Sequence, residues 1–278
     1  MIVQKKVTPK KVIIYVVLIV WALATILPLL WVINNSFRTS NSIIADAFSF
    51  PKHFDLDNFK TAFEKRNIGQ AYMNSLLVSV STTILTIAFG SLAAYCLARF
   101  EFRGKKVIYT IIVGSILIPV FVTITPVFRM LVSWNLLDTR IGLILPQVAG
   151  NLSFTIILLY GFMIGVPKEF EESAFIEGCG VLKAFVRIIV PISKASFATS
   201  AIFIFLWSYN DLFMSLIVLR SKDVQPINVL LREISSQYGT DYGLMASSIT
   251  LIVIPVLIVY MLLQKNIVKG LTAGAIKG

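Results

Sequence analysis

Hydrophobic residues occur in long uninterrupted stretches along this chain. Five segments carry no charged residue, at 12–37, 67–98, 107–128, 141–167 and 242–264. A sixth segment, 195–219, is interrupted only by Asp211. Each is long enough for the roughly 20 residues that a membrane-spanning helix requires. The pattern predicts six membrane-spanning helices near residues 12–33, 73–97, 107–131, 141–163, 197–219 and 243–263.

The composition agrees with this pattern and excludes an ordinary soluble domain. Hydrophobic residues make up 57% of the 278 residues and charged residues 14%, far from the balance of a soluble globular protein. The apolar runs are continuous rather than alternating, which favours helices over a β-barrel in a bilayer. We therefore expect an all-α polytopic membrane protein.

Basic residues are concentrated in alternate loops. The N-terminal tail, the loops 98–106 and 164–196 and the C-terminal tail together hold 15 of the 25 lysines and arginines. Because cytoplasmic loops carry an excess of Lys and Arg, both termini are predicted to lie in the cytoplasm of a multi-pass cell membrane protein. The net charge of +11 then reflects topology, and no nucleic-acid partner is expected.

The residues needed for common enzyme chemistry are scarce. The single histidine, His53, lies in a predicted external loop and cannot alone form a metal cluster or a catalytic triad. No GxxxxGK[ST] phosphate-binding loop occurs. We therefore expect no catalytic residue, no metal and no cofactor on this chain, and any nucleotide that drives it must bind another subunit.

The most informative loop is VPKEFEESAFIEGCGVLKAFVRIIVPIS, residues 166–193. Its length allows two short helices separated near Gly178 and Gly180, with Pro167 near the start and Gly178 as a left-handed stop. Three glutamates near the start, at 169, 171 and 172, complement the positive end of the first helix. An apolar stripe follows in the second helix, at Val181, Phe185, Ile188 and Ile192.

The same loop resembles the EAA signature of ABC importer permeases, commonly E-A-A-x-x-D-G-A followed by F-x-x-I-x-x-P. This chain departs from that pattern with Ser173 for the first alanine, Glu177 for aspartate and Cys179 for the last alanine. The matching positions are Glu172, Ser173, Ala174, Glu177, Gly178, Phe185, Ile188 and Pro191.

Two further segments narrow the resemblance. The C-terminal QKNIVKGLTAGAIKG, residues 264–278, looks like the tail of the second permease of carbohydrate importers, the class that includes the smaller membrane subunit of the maltose transporter. LWSYNDLFMSL, residues 206–216, is similar to the W-N-E/D-F segment of that class, although Trp207 and Asn210 are one residue further apart. The resemblance covers about residues 70–278.

This resemblance implies an architecture and a function. The fold would be the type I ABC importer transmembrane fold, with an N-terminal tail, first helix and external loop at 1–69, the transmembrane domain at 70–264 and a cytoplasmic tail at 265–278. The function would be that of a permease subunit that translocates a carbohydrate, in particular an oligosaccharide, by alternating access. The implied partners are a second homologous permease, a cytoplasmic ATPase dimer that binds ATP and Mg, an extracytoplasmic solute-binding protein, the sugar and the lipid bilayer.

The resemblance also implies roles for individual residues. The EAA loop would form cytoplasmic coupling helices that dock on the ATPase, with Glu172 bonded to a basic group there, Ala174 permitting close approach and Gly178 making the turn. Phe185 and Ile188 would anchor the loop to its own helices. The tail would contact the ATPase through Gly270, Ala273 and Gly274, or it would be a frayed terminus.

Polar residues inside the predicted spans provide candidates for the substrate path. An ionisable group within a span is by default a functional hypothesis, and amide and carboxylate groups can meet sugar hydroxyls. The candidates are Tyr209, Asn210, Asp211, Gln147 and Asn151. The alternative is an interfacial aromatic belt in which Asp211 is held by a neighbouring helix.

Other functions are open at the level of the sequence. The chain could be a permease for another small solute, or an ion-coupled secondary transporter, although the latter would want inverted repeats and more intramembrane ionisable groups. A membrane-embedded enzyme would require a constellation of catalytic groups that the spans do not supply.

Overall fold

The computed structural model describes residues 9–230 and 241–275, and within them we observe helices and connecting loops but no β-strand. The helices in chain order are α1 (Pro9–Ser36), α2 (Ser40–Ala45), α3 (Asp57–Arg66), α4 (Ile68–Arg99), α5 (Lys105–Ser115), α6 (Val120–Ser133), α7 (Arg140–Met163), α8 (Glu169–Ile176), α9 (Val181–Ile192), α10 (Lys194–Tyr209), α11 (Phe213–Val218) and α12 (Tyr242–Ala275). An all-α fold is therefore confirmed.

Among the described residues, three helices are long and apolar enough to cross a membrane without a break. They are α1, α4 and α7, with 28, 32 and 24 residues. Two bent pairs, α5 with α6 and α9 with α10, raise the number of candidate spans to five if each pair counts as one. The predicted sixth span lies within α12, whose apolar part is described from Tyr242 to Ile258.

The third predicted span is broken rather than continuous, so the prediction of one helix over 107–131 is wrong. Helix α5 ends at Ser115 and α6 begins at Val120, with an angle of 102° between them. Pro119 precedes α6 with an extended backbone, at ψ 134°. A proline disfavours helical geometry in the residue before it and lacks an N–H group, which explains a break at this point.

The fifth predicted span, 197–219, is also interrupted. Helix α10 ends at Tyr209, and a short helix, α11, covers Phe213–Val218. The break contains Asn210 and Asp211, whose short polar side chains bond readily to nearby backbone groups and so favour helix ends. A hydrophobicity count does not detect such a break because the flanking residues are equally apolar.

The described residues form two compact units. The first comprises residues 9–68 and 241–255, and the second comprises 69–230 and 256–275. In the first unit the loop after α1 folds back on the end of that helix, where the Trp31 indole donates to the Ala47 carbonyl at 2.8 Å. Arg38 is buried and donates to the Ser42 and Asp46 carbonyls.

The second unit contains α4 to α11. Its apolar core has one part between the ends of α4 and α7 and the loop 166–193, centred on Leu159, Met163 and Ile189. A second part packs α6, α7 and α11 around Leu131, Leu143 and Val218. The loop that resembles the EAA signature is therefore seated directly on the ends of two long helices.

Gly142 near the start of α7 is expected to be sensitive to substitution. A Cβ atom there would lie 2.0 Å from the Leu136 carbonyl oxygen, because the loop before α7 folds back onto it. We expect Gly142→Ala to destabilise the chain by about 1–3 kcal/mol, as overpacking does elsewhere. Gly150→Ala is the matched control on the same helix, since no atom lies within 4 Å of its Cβ position. Thermal unfolding in detergent measures both, and an equal melting temperature for the two variants would contradict the prediction.

Candidate functional site

The loop 166–193 forms a helix, a left-handed turn and a second helix. Helix α8 carries three glutamates in its first turn, where they complement the positive helix end. Gly178 has a φ of +79°, and the turn is closed by the Cys179 amide, which donates to the Ala174 carbonyl at 2.9 Å. The prediction that Gly178 provides a left-handed stop is confirmed.

One side of α8 is tied to the end of α4 by a buried acid. Glu171 is 3% exposed. Its carboxylate accepts a hydrogen bond from the Tyr95 hydroxyl at 2.5 Å and forms a salt bridge with the Arg99 guanidinium. Sequence reasoning assigned Glu171 only to the helix end and missed this contact. The available signal was the presence of Arg99 at the end of a charge-free span, facing a loop rich in glutamate.

Arg99 also bonds to the end of α7. Its two terminal nitrogens donate to the carbonyls of Met163 at 2.9 Å and Val166 at 3.1 Å. The last carbonyls of a helix have no partner within the helix. The Met163 carbonyl accepts from the Val166 amide at 3.1 Å as well as from the guanidinium. Arg99 therefore connects α4, α7 and α8.

The second helix of the loop, α9, contains one π-helical turn at Phe185–Ile189. Of the predicted apolar stripe, Phe185 is buried, whereas Val181 and Ile192 are exposed and Ile188 is only partly buried. Ile189 is fully buried in its place. The π turn has more than four residues, which moves the buried face from position 188 to 189. Phe185 packs on Tyr95 with ring centroids 4.9 Å apart.

The opposite side of the loop is open to solvent. Glu172, Ser173, Glu177 and Gly178 are exposed, and Ala174 is partly exposed. Large apolar side chains lie among these polar residues. Ile176 is 88% exposed and Leu182 is 66% exposed. Exposed apolar residues rimmed by polar ones are typical of surfaces that contact another protein or a membrane.

The structure brings two predicted substrate-path residues together. Gln147 on α7 donates to the Asp211 carboxylate at 3.0 Å. Its side-chain oxygen accepts from Ser208 at 2.5 Å and from Thr82 at 3.2 Å. Gln147 thus joins α4, α7 and α10, and it is itself mostly buried.

Asp211 also acts as the cap of α11. Its carboxylate accepts from the backbone amides of Met214 at 3.3 Å and Ser215 at 3.2 Å. Asp211 is therefore held by a neighbouring helix, as expected in the alternative interpretation of this segment as an interfacial aromatic belt. An acid at the start of a helix satisfies amides that have no other partner, which accounts for the interrupted fifth span.

The side chains of the other predicted path residues make different contacts. Asn151 donates to the Gln147 carbonyl at 2.7 Å, one turn along α7. Asn210 is exposed and bonds to the Leu206 carbonyl. Tyr209 is buried and stacks on Phe205 with ring centroids 5.7 Å apart. Of the five candidates, Gln147 and Asp211 are the pair whose side chains bond to each other.

A second polar cluster, missed from the sequence, lies at the opposite ends of α4 and α7. Asn74 is buried and donates to the carbonyls of Asp223 at 2.8 Å and Gln225 at 3.0 Å. Arg140 donates to the Asn74 side chain at 3.0 Å and to the Asp223 carbonyl at 3.2 Å. The segment after α11 is thereby attached to both long helices.

Asp138 adds a pH-sensitive contact to the same segment. Its carboxylate accepts from the Ser221 hydroxyl and from the amides of Ser221 and Arg220, which lowers the pKa of Asp138 below its ordinary value. Because the pKa is lowered in the folded chain, the contact stabilises the fold fully at pH values above the ordinary pKa of about 3.9. This stabilisation is lost as the pH falls through the lowered pKa of the folded chain.

We expect Asp138→Asn to remove this pH dependence. Hydrogen exchange of peptides covering 218–224, corrected for intrinsic rates, should accelerate in the unmodified chain as the pH drops toward the lowered pKa. In Asp138→Asn, the corrected exchange of the same peptides should be faster at neutral pH than in the unmodified chain, and nearly independent of pH. Asp223→Asn is the control on the same segment, since Asn74 and Arg140 contact its backbone carbonyl. Equal profiles for Asp138→Asn and the unmodified chain would contradict the expectation.

The C-terminal candidates are placed only in part. The backbone of α12 continues to Ala275, but the side-chain surroundings of Gly270, Ala273 and Gly274 lie outside the described residues, as do residues 276–278. The predicted contact of this tail stays a prediction.

Comparison with known proteins adds a family and a fold. A family model described as "Binding-protein-dependent transport system inner membrane component" matches residues 86–273. The chain is 36% identical over 265 residues to the diacetylchitobiose uptake system permease protein NgcG of Streptomyces coelicolor, with 95% of this chain and 88% of that protein covered.

Two solved structures resemble the fold. One is a bacterial ABC transporter involved in the import of the acidic polysaccharide alginate, with a TM-score of 0.81, 21% identity, and 94% of this chain and 99% of that chain covered. The other is a bacterial alginate ABC transporter in complex with alginate pentasaccharide-bound periplasmic protein, with a TM-score of 0.62, 18% identity, and 91% and 94% covered. At these identities the likeness concerns the fold alone.

Proposed function

Because the chain belongs to the family of binding-protein-dependent transport system inner membrane components, we propose that it is the permease subunit of an ATP-driven importer that translocates an oligosaccharide by alternating access. The observation that carries this proposal is the two-sided loop 166–193. Its inner side is bonded to α4 and α7, and its outer side presents Glu172 beside exposed apolar residues. The relative named for diacetylchitobiose uptake supports a carbohydrate substrate.

The loop would act as the coupling element between this chain and a cytoplasmic ATPase. Glu172 would accept hydrogen bonds from a basic group of the ATPase, and Ile176 and Leu182 would enter an apolar groove beside it. Ala174 would permit close approach. Closure of the ATPase dimer would then move the attached helices as rigid bodies and change which side of the membrane the cavity opens to.

This arrangement requires several partners. A second homologous permease would complete the translocation path, and ATP and Mg would bind the ATPase dimer rather than this chain. An extracytoplasmic solute-binding protein would deliver the sugar, which agrees with the periplasmic protein bound in the second alginate transporter structure. The tail with Gly270, Ala273 and Gly274 would contact the ATPase.

The topology would place the loop in the cytoplasm. We propose six crossings, with α12 as the last and with the broken pairs α5–α6 and α10–α11 contributing to the third and fifth. Both termini would be cytoplasmic, in agreement with the distribution of Lys and Arg. The exposed Asn210 and the partly exposed Asp211, with Tyr209, Gln147 and Asn151 behind them, would contribute to the substrate path.

The test is purification of the tagged chain from its native membranes in mild detergent, with mass spectrometry of the proteins that accompany it. We expect a second permease and an ATPase in defined stoichiometry, and the associated binding protein can then be screened against sugars. A chain that is isolated alone and still transports in liposomes would overturn the proposal. Uptake lost when the ion gradient is collapsed, with ATP maintained, would indicate a secondary transporter.

A further inference from the structure

Adjacent carboxylates of α8 face opposite environments. Consecutive residues of an α-helix are separated by about 100° around its axis, so the buried position of Glu171 leaves Glu172 exposed. The outward acid is the one that matches the EAA signature. The inward acid, Glu171, bonds to Tyr95 and Arg99.

All three nitrogens of the Arg99 guanidinium group donate hydrogen bonds within the chain. Its side chain is 7% exposed, and its three nitrogens bond to Glu171, Met163 and Val166. Arginine presents several donors in one rigid plane, whereas lysine is a flexible point charge. A single planar group thus fixes the start of α8 relative to both the end of α4 and the end of α7.

The aromatic contact of Tyr95 extends this connection to the second loop helix. Its hydroxyl bonds to Glu171 on α8, and its ring packs on Phe185 of α9. Both helices of the loop are therefore attached to the last turns of α4. Neither attachment involves the exposed surface around Glu172 and Ile176.

The two long helices lead from this junction to the other polar cluster. Asn74 and Arg99 are 25 residues apart on α4, about 37 Å along the axis at the helical rise. Arg140 and Met163 are separated by about 35 Å on α7 by the same measure. A displacement of α8 would be delivered through Arg99 to both helices at once, and through them to the segment held by Asn74 and Arg140.

We infer that Arg99 is a positioning residue that makes α8 and the ends of α4 and α7 one rigid body, so that motion of the coupling loop reaches both helices. This inference rests on the proposed coupling function. Arg99 does not touch the ATPase in this scheme; it acts through Glu171. Loss of the guanidinium should leave the docking surface intact and loosen its attachment to α4 and α7, while the contacts of Tyr95 with Glu171 and Phe185 remain.

The test measures one distance in the assembled transporter. Spin labels are placed at Glu169→Cys on α8 and Phe89→Cys on α4, both exposed positions outside the proposed docking surface, with Cys96 and Cys179 replaced by serine. In the otherwise unmodified complex we expect one narrow distance distribution that does not change when ATP and vanadate are added. In Arg99→Gln we expect the width to increase at least about twofold, or a second distance to appear with ATP and vanadate.

A double variant in which both members of the ion pair are neutral separates the positioning role of Arg99 from its effect on stability. Arg99→Gln alone leaves a buried carboxylate without its charge partner, which strongly destabilises proteins. The double variant Arg99→Gln, Glu171→Gln removes both charges and should assemble normally. We expect its distance distribution still to be broad, because two amides cannot hold α4, α7 and α8 together. Tyr95→Phe, which keeps the ion pair, should broaden it less.

The outcomes distinguish this inference from the proposed function. If the unmodified chain does not associate with an ATPase, the proposed function fails. If the unmodified complex assembles and responds to ATP, while the double variant assembles with the same narrow distribution as the parent, the positioning role of Arg99 is overturned and the coupling function stands. A broad distribution in the double variant with normal assembly supports the inference.

Discussion

Replacing Glu172 with lysine is expected to reduce sugar uptake by about tenfold or more while the chain still enters the membrane. Glu172 is exposed on the outer side of α8, so its folded surroundings tolerate a lysine. At a docked interface, the loss of one member of a charge pair costs about 2–5 kcal/mol, and the lower figure corresponds to roughly thirtyfold in affinity. The measurements are the amount of ATPase recovered with the tagged chain and uptake into proteoliposomes of a sugar that the binding protein binds.

Glu169→Lys is the matched control for this variant. It makes the same charge change, three residues earlier on the same helix, at another exposed position. We expect it to keep most of the ATPase association and uptake. Uptake at the parental level in Glu172→Lys would remove the assignment of Glu172 to the docking surface. Equal losses in both variants would indicate a general effect of negative charge rather than a specific contact.

Replacing Gly178 with valine is expected to uncouple transport through the backbone. No atom lies within 4 Å of a Cβ at this position, but the φ of +79° is one that L-residues rarely adopt. Left-handed geometry costs an L-residue about 1–2 kcal/mol, which lowers the equilibrium ratio of the native turn to other conformations by roughly 5- to 30-fold. We expect sugar uptake per ATP hydrolysed to fall by up to that factor.

Two further variants isolate the conformational cause. Gly180→Val is the matched control, since Gly180 is equally unobstructed and has an ordinary φ of −73°. Gly178→Asn should retain more activity than Gly178→Val because asparagine enters the left-handed region more readily. If Gly180→Val impaired coupling as much as Gly178→Val, bulk in the turn rather than its handedness would be responsible.

The loop 166–193 shows how far pattern and local conformation can be predicted. The glycine stop at Gly178 follows from a local requirement of the backbone, and it is confirmed by the φ at that residue. Which residues of α9 face inward could not be predicted correctly, because a π turn moved the buried position from Ile188 to Ile189. Such a turn depends on packing against α4, which no local pattern records.

The two broken helices show the limit of hydrophobicity as a signal. Runs with at most one charged residue correctly indicated apolar segments at 107–128 and 195–219. The helices nevertheless end at Ser115 and Tyr209 inside them. Pro119 is visible in the sequence as a residue at which a helix can break. The capping role of Asp211 is not, because it depends on Gln147 from a separate helix, which orients the carboxylate from 64 residues away.

By itself the sequence determined that the protein is all-helical and lies in a membrane. It also determined the concentration of Lys and Arg in alternate loops, and a loop whose spacing resembles that of importer permeases. These properties follow from composition, periodicity and backbone preferences, which act over a few neighbouring residues. Only the tertiary structure decided which of two adjacent glutamates is buried, and that Arg99 joins three helix ends. These facts depend on contacts between residues more than 60 positions apart, whose free energy arises only when the helices pack together.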